Sequence, residues 1–491
     1  MARKARCRGR IPLLGALVAV VPLLLPGQAA GQPWEITPRL TLGAEATDNI
    51  GYAPRGAERS DGIGIVRPGI SVTADTPRLE GSLSYDWDSR LHIRSSDRDR
   101  SVHSLSASAE AELLRERAFL EGSADRQLYA SSPFQPLSQA DREERTVYRI
   151  SPYLLTRYGR VADQELRYEL RGVRYHRSER EPHHRHLGRY RLSSGAAWGR
   201  PFWVLSGSAV EHRYDEPGRG DFRRRDGDAT LGYQLGESLR VSVTGGAGQY
   251  RVGDGPDRDT RRWSANTDWS PGRFGAGASW GESRLELADG EERTREQRSL
   301  ALRYSSGRSE YRVSYTEEIT DFGIDPELAE LERLLNDLRE LAGLDGVLDL
   351  DLDSRVAFTE SWRAVWRYSV PEGSTWRLGV RQQEIDRDFV LAGTGEGQVD
   401  RERSVDGSWT RPLASRTDAG LNGSLGRRES LEGVGRERDY WRVGARIGHD
   451  ISPRTRASLG YQHRQDRVEQ PGGSAERFRE NRLTALVRIT F

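Results

Sequence analysis

The sequence of 491 residues is poor in the ingredients of an ordinary large globular protein. Its single cysteine, Cys7, lies at the extreme N-terminus, which excludes disulfide staples and thiol chemistry from the rest of the chain. Hydrophobic residues make up only 35% and charged residues 30%. That is little apolar material for a core of this size. Beyond Leu25 no apolar run is long enough for a membrane helix, so any membrane crossing falls to strands. Basic and acidic residues nearly cancel, 75 against 74, which disfavours a nucleic-acid binder. The basic residues are almost all arginine, Lys4 being at the extreme N-terminus, so the positive charges are planar forks. The 53 glycines, 12 tryptophans and 18 tyrosines argue against simple disorder, which is poor in aromatics. The apolar residues must therefore be used thinly, one face at a time.

The first 30 residues read as a secretory signal. Arg3, Lys4, Arg6, Arg8 and Arg10 form a positive region, Ile11 to Leu25 is apolar, and the small residues of Gly27-Gln-Ala-Ala-Gly31 offer a cleavage site. Residues 31–491 form the second region. An uncleaved anchor is the alternative, opposed by the shortness of the apolar run.

From Trp34 onward the dominant signal has a period of two. Leu79, Gly81, Leu83, Tyr85 and Trp87 alternate with Glu80, Ser82, Ser84, Asp86 and Asp88; Leu105, Ala107, Ala109, Ala111 and Leu113 alternate with Ser106, Ser108, Glu110 and Glu112. Each run covers about nine to eleven residues, the length of a tilted strand crossing a bilayer. Tight connections such as Asp75–Arg78, Ser270–Arg273 and Ile451–Arg454 alternate with long polar ones such as Asp48–Asp61, Arg174–His186, Glu282–Gln297 and Arg464–Arg479. This rhythm predicts an all-β fold: a transmembrane up-and-down antiparallel β-barrel of about 22 strands (range 18–22), with both termini on the periplasmic side of a Gram-negative outer membrane. A soluble propeller or stack of sandwiches is the rival. It would bury a bulky aliphatic core, whereas these apolar faces carry Ala and Gly between aromatics.

One segment breaks the period. In Pro326–Gly343, Leu328, Leu331, Leu334, Leu335, Leu338 and Leu341 recur at three and four. The spacing predicts a helical loop insert over about 325–343, capped by Asp325 and Gly343. It packs on the rim or neighbouring loops, or it plugs the lumen.

Nothing in the sequence asks for an enzyme, a cofactor or a metal. There is no nucleophile elbow and no zinc-protease motif. His183, His184 and His186 read as metal ligands or, more simply, as part of a solvated loop. Glu110 and Glu112 share a strand face and are acid–base candidates or ion-paired wall residues. With lipid outside, the polar parity lines the interior. That places Glu80, Asp86, Asp88, Arg90, Glu110, Glu112, Arg167, Glu169, Arg171, Arg312, Arg377, Arg381, Arg442, Arg446 and Arg488 in the lumen. Mixed rings of this kind suit a polar, hydrated solute, anionic or neutral, or they neutralise one another and hold the wall. Leu483, Ala485, Val487, Ile489 and Phe491 form the lipid face of the last strand. That strand closes against Ile36–Ala46, and its terminal aromatic resembles the signal read by the barrel-assembly machinery.

Trp34-Glu-Ile-Thr-Pro-Arg-Leu-Thr-Leu, Thr47-Asp-Asn-Ile50, Ser60-Asp61, Val66-Arg-Pro-Gly-Ile70, Arg78-Leu-Glu-Gly and Tyr85 resemble the opening of the outer-membrane β-barrel family associated with PEP-CTERM/exosortase systems. The Leu-rich insert is similar to one in that family. The resemblance implies a channel taking part in exopolysaccharide export or surface assembly, with exopolysaccharide and periplasmic export components as partners. It supplies no catalytic residues. A general or solute-specific porin and a structural or adhesive barrel are the alternatives.

Overall fold

The computed structural model describes residues 34–129, 143–176, 182–214, 221–286, 290, 292–321, 356–386, 399–431, 435–469 and 475–491. The expected signal segment and the expected helical insert at 325–343 lie outside them. The described chain is strand almost throughout: β1 Trp34–Thr47, β2 Asp61–Thr76, β3 Leu79–His92, β4 Arg100–Leu114, β5 Ala118–Tyr129, β6 Glu143–Tyr158, β7 Ala162–His176, β8 His183–Ser194, β9 Pro201–Tyr214, β10 Phe222–Leu235 and β11 Leu239–Val252. The second half comprises β12 Arg258–Trp269, β13 Phe274–Glu286, β14 Glu292–Ser305, β15 Ser309–Asp321, β16 Val356–Ser369, β17 Thr375–Asp386, β18 Val399–Ala414, β19 Thr417–Ser430, β20 Glu437–Ser452, β21 Thr455–Glu469 and β22 Glu476–Thr490.

Each strand pairs antiparallel with its chain neighbours, and β22 returns to β1 in a ladder from Arg39↔Thr490 to Thr47↔Arg482. All 22 strands thus form one closed sheet without an edge. The Phe491 amide adds a bond of 3.0 Å to the Pro38 carbonyl at the seam. At ~4.8 Å between strands tilted by ~40°, the barrel is on the order of 40 Å across.

The exterior explains the composition. Leu42, Val66, Leu83, Leu166, Leu231, Val243, Val380, Leu459, Leu483 and Val487 are all exposed. No water-facing surface tolerates so much apolar area, and a bilayer requires it. No helix among the described residues is long and apolar enough to cross a membrane; the strands cross it. Two outward aromatic levels border the band. Nearer the outer rim, Trp263 and Trp280 meet edge to face at 4.9 Å, and Tyr315 lies 4.4 Å from Trp362. Nearer the tight turns lie Trp269–Phe274, Tyr304–Tyr311 and Trp376–Trp409. Such girdles seat at the two headgroup levels.

The strands are longer than the alternation suggests, at 12 to 16 residues. At ~3.3 Å per residue and ~40° tilt they rise roughly 30–40 Å, beyond an apolar band of ~25 Å. The excess lies at the outer end. There the ladder continues through mostly charged residues, Arg427↔Asp439 to Glu429↔Glu437 and Gln465↔Arg479 to Val468↔Glu476. The connections read as Glu282–Gln297 and Arg464–Arg479 are therefore largely strand. Above the bilayer the outward parity no longer needs apolar residues, so the pattern fades while the hydrogen bonds persist. The opposite connections are tight. Thr76 bridges the β2–β3 turn to the Leu79 amide at 2.9 Å. Gly272, at φ +59°, takes a left-handed conformation that a side chain would resist, in the β12–β13 turn.

Candidate functional site in the barrel lumen

Every lumen residue expected from the alternation stands on the strand parity opposite the exposed apolar side chains. The structure does not gather them into one centre; it distributes them around the wall.

On β1–β3, Arg39 forks onto Asp86 at 2.6 and 2.9 Å and reaches Ser84 and Ser71. Arg67 binds Asp88 at 2.7 Å, and Arg90 spans Asp88 and Glu45. Across β3–β5, Glu80 faces Glu110, and Glu110 faces Glu121. Glu112 lies next to the β4–β5 turn and accepts the Glu116 amide. This acidic stretch is met by Arg167, which binds Glu121 at 2.7 Å and stacks 4.0 Å over the Tyr153 ring. Glu169 pairs with the buried Arg185, and Arg171 faces Arg185 across the ladder. Farther round, Arg381 donates to Gln383, Arg442 lies 5.4 Å from the Tyr440 ring, Arg446 is 3.7 Å from Asp418, and Arg488 stands level with Thr41 and Arg456. Arg312 binds Glu310 at 2.7 Å.

The histidines need a correction. His183, His184 and His186 are not in a loop; they open β8. Alternation sends them to opposite faces. His184 and His186 meet the tyrosine hydroxyls of Tyr148 and Tyr168 at 3.1 and 2.7 Å on the outer face, while His183 lies between Tyr175 and Tyr214. Groups of three metal-binding side chains are absent among the described residues.

The connection Asp48–Asp61 also departs from expectation. Rather than standing clear as an outer loop, it lies back along the seam. Asp48 accepts the Asn481 amide at 2.7 Å, and Asn49 bridges Ala53 and the Arg479 carbonyl at 2.8 and 2.9 Å. The Arg55 amide reaches the Arg477 carbonyl at 2.8 Å. Ile50 packs with Ile63 and Ile65 against Leu486, the residue of β22 that breaks the alternation. Leu486 points inward because an apolar partner awaits it there. Tyr52, only 2% exposed, packs on Val468 and Phe478, lies 3.5 Å under the Arg464 guanidinium and donates to Asp466. Burial, and then the charge of Asp466, pushes its hydroxyl well above the usual tyrosine range. Around it Arg438 binds Asp466 at 2.7 Å, Arg464 and Arg482 hold Glu480 at 2.6 and 2.8 Å, and Thr47 donates to Glu480 at 2.8 Å. Sequence reading left Glu45 out of the lumen set although it stands on the inward parity of the Ile36–Ala46 run, and it missed Arg438, Arg464, Asp466 and Glu480, which extending the inward parity beyond the apolar runs would have found.

No family model matches the sequence, and no curated protein does. Solved structures do. The barrel is similar to that of a ferric enterobactin receptor of Pseudomonas aeruginosa, with a TM-score of 0.53 at 10% identity, covering 93% of this chain and 80% of the receptor. It is also similar to an iron transporter of Neisseria meningitidis, with a TM-score of 0.52 at 11% identity, covering 93% and 81%. At such identity the likeness concerns the fold. Closed sheet, apolar girdled exterior and structural likeness agree: the chain is a 22-stranded β-barrel of the outer membrane.

Proposed function

We propose that the barrel is a channel that takes part in exopolysaccharide export or surface assembly, in the setting of the PEP-CTERM/exosortase systems whose barrels its N-terminal motifs resemble. The observation that supports a conduit is the lumen wall. It is built of arginine–carboxylate pairs and serine hydroxyls on a frame on the order of 40 Å across. Such a wall offers many hydrogen-bond donors and acceptors to a hydrated chain. Passage is the chemistry it suits, with the polymer held by exchangeable hydrogen bonds rather than by one deep site.

A solute-specific or general porin is the second reading. It is favoured by the pairing of many lumen charges with one another, as at Arg39–Asp86 and Arg464–Glu480, which leaves a wall with little net field. Two measurements separate these. Planar-bilayer recordings of the full chain and of a chain lacking Pro326–Gly343 are expected to show conductance in at least one; silence from both contradicts either form of pore. In a knockout strain, loss of surface polysaccharide is expected. Unchanged polysaccharide with altered small-solute uptake would replace the exporter with the porin.

A further inference from the structure

One part of the wall carries more arginines than carboxylates among its described lining residues. Near the periplasmic end, β12–β17 border a cavity of about 490 Å³. Arg303, Arg312, Arg363, Arg367 and Arg377 line it, against the carboxylates of Asp268 and Glu310. Five positive against two negative charges leave three in excess. Glu310 is already engaged, 2.7 Å from Arg312 and 3.3 Å from Arg303. The side chains of Arg363 and Arg367 make no hydrogen bond and no ion pair within 4 Å with a described residue, although Arg367 stands opposite Glu310 in the ladder and its charge acts on that carboxylate. The field at Arg363 comes from Arg381, Arg377 and Arg312, with Asp406 the carboxylate that opposes them. Including Arg381 and Asp406 leaves the excess at three.

The space has a sequence cause. The inward positions of β13 here are Gly275 and Gly277, and those of β14 and β15 include Ala301 and Ser314. Small residues on one side open room in front of the large cations on the other. Clustered guanidiniums repel, and partial burial removes the water that would screen them. An anion entering the cavity relieves both costs. The guanidinium fork matches the planar, two-oxygen geometry of a carboxylate.

We propose that this cavity is a binding site for carboxylate groups of an acidic saccharide, with Arg363 and Arg367 as the principal donors. The inference rests on the lumen being a path for solute, and its position near the periplasmic mouth makes it an entry site for outward traffic. Free oxyanions share the chemistry, and the test separates them.

The full chain, folded in detergent, is titrated calorimetrically with trigalacturonate, with maltotriose as the neutral control and with inorganic phosphate. The expected result is binding of trigalacturonate, weakening as salt rises, and no binding of maltotriose. In the Arg363→Gln/Arg367→Gln variant, affinity is expected to fall about tenfold or more, each charge-assisted bond being a large fraction of such a site. Heat-modifiable migration establishes that the variant is folded. Should it not fold, salt dependence and saccharide selectivity of the unmodified chain still decide the matter. Binding of phosphate alone, equal binding by the folded variant, or equal binding of maltotriose overturns the proposal. Binding without bilayer conductance supports the site and contradicts the channel; conductance without binding does the reverse.

Discussion

At Tyr52 the backbone takes a φ of 45°, a region that non-glycine residues enter at a cost of about 1–2 kcal/mol. Three contacts offset it: the ring on Phe478 and Val468, the Arg464 guanidinium over its face, and the hydroxyl on Asp466. These contributions separate by substitution. Tyr52→Phe keeps the packing and leaves Asp466 to Arg438, so docking of segment 48–60 is expected to weaken by only about 1–3 kcal/mol. Tyr52→Ala removes the ring as well, and about 3–5 kcal/mol is expected to be lost. Trypsin cleavage at Arg55 and Arg59 in intact barrels reads the difference; equal rates in all three proteins would contradict the anchor. The pH dependence follows from the raised hydroxyl. The docked tyrosine holds its proton more tightly than the undocked one. Docking is therefore undiminished below about pH 10 and weakens as pH rises above it. A spin label at Arg55→Cys, in a chain whose only cysteine, Cys7, is replaced by serine, is expected to keep its mobility up to about pH 10 and to gain mobility as pH rises beyond it. The Tyr52→Phe background should abolish that transition.

Among the elements, β22 has the most to satisfy. Its outward residues Leu483, Ala485, Val487, Ile489 and Phe491 meet lipid, its inward Glu480 and Arg482 join the seam network, and its backbone closes the sheet. Val487→Asp places a carboxylate against lipid at a cost on the order of 2 kcal/mol in the folded barrel, and it interrupts the apolar face presented during assembly. Deleting Phe491 removes the bond from its amide to the Pro38 carbonyl and an exposed aromatic ring. Both variants are expected to yield little heat-modifiable barrel in the outer-membrane fraction, and normal amounts would refute the role assigned to the strand. Length is where pattern and structure parted. The alternation in β19 is legible through Leu421 and Leu425 but stops at Arg427, although the ladder runs on to Glu429. Periodicity reports the medium on the outward face, not the hydrogen bonds of the backbone.

For the whole molecule, closure is the decisive property. An open sheet of this length would expose unpaired amides to hydrocarbon, at several kcal/mol for each group. Ala44 and Ala485 face each other across the seam. Cysteines at both positions are expected to cross-link in the folded barrel and to alter its migration after denaturation, whereas absence of cross-linking would be incompatible with the β1–β22 ladder. The lumen that closure creates is uneven. Acidic Glu80, Glu110 and Glu121 lie on β3–β5, and the arginine cavity lies on β14–β17. Each residue's inward parity was legible in its own strand. Which strands stand side by side with like charges, and whether a counter-charge lies within reach, depends on register and curvature. Arg363 and Arg367 drew no notice in the chain, where arginine is everywhere; they stand out only where Gly275 and Gly277 leave space before them.

By itself the sequence determined the medium and the class of fold. A thin apolar budget arranged at period two, with tight and long connections in turn, is compatible with lipid outside and water within. The tertiary structure alone decided what the polar segments do. Thr47-Asp-Asn-Ile50 shows no period, and its docking depends on Asn481, Arg479 and Leu486, more than 400 residues away. Contacts of that range arise only when the first and last strands meet, so no local pattern can carry them.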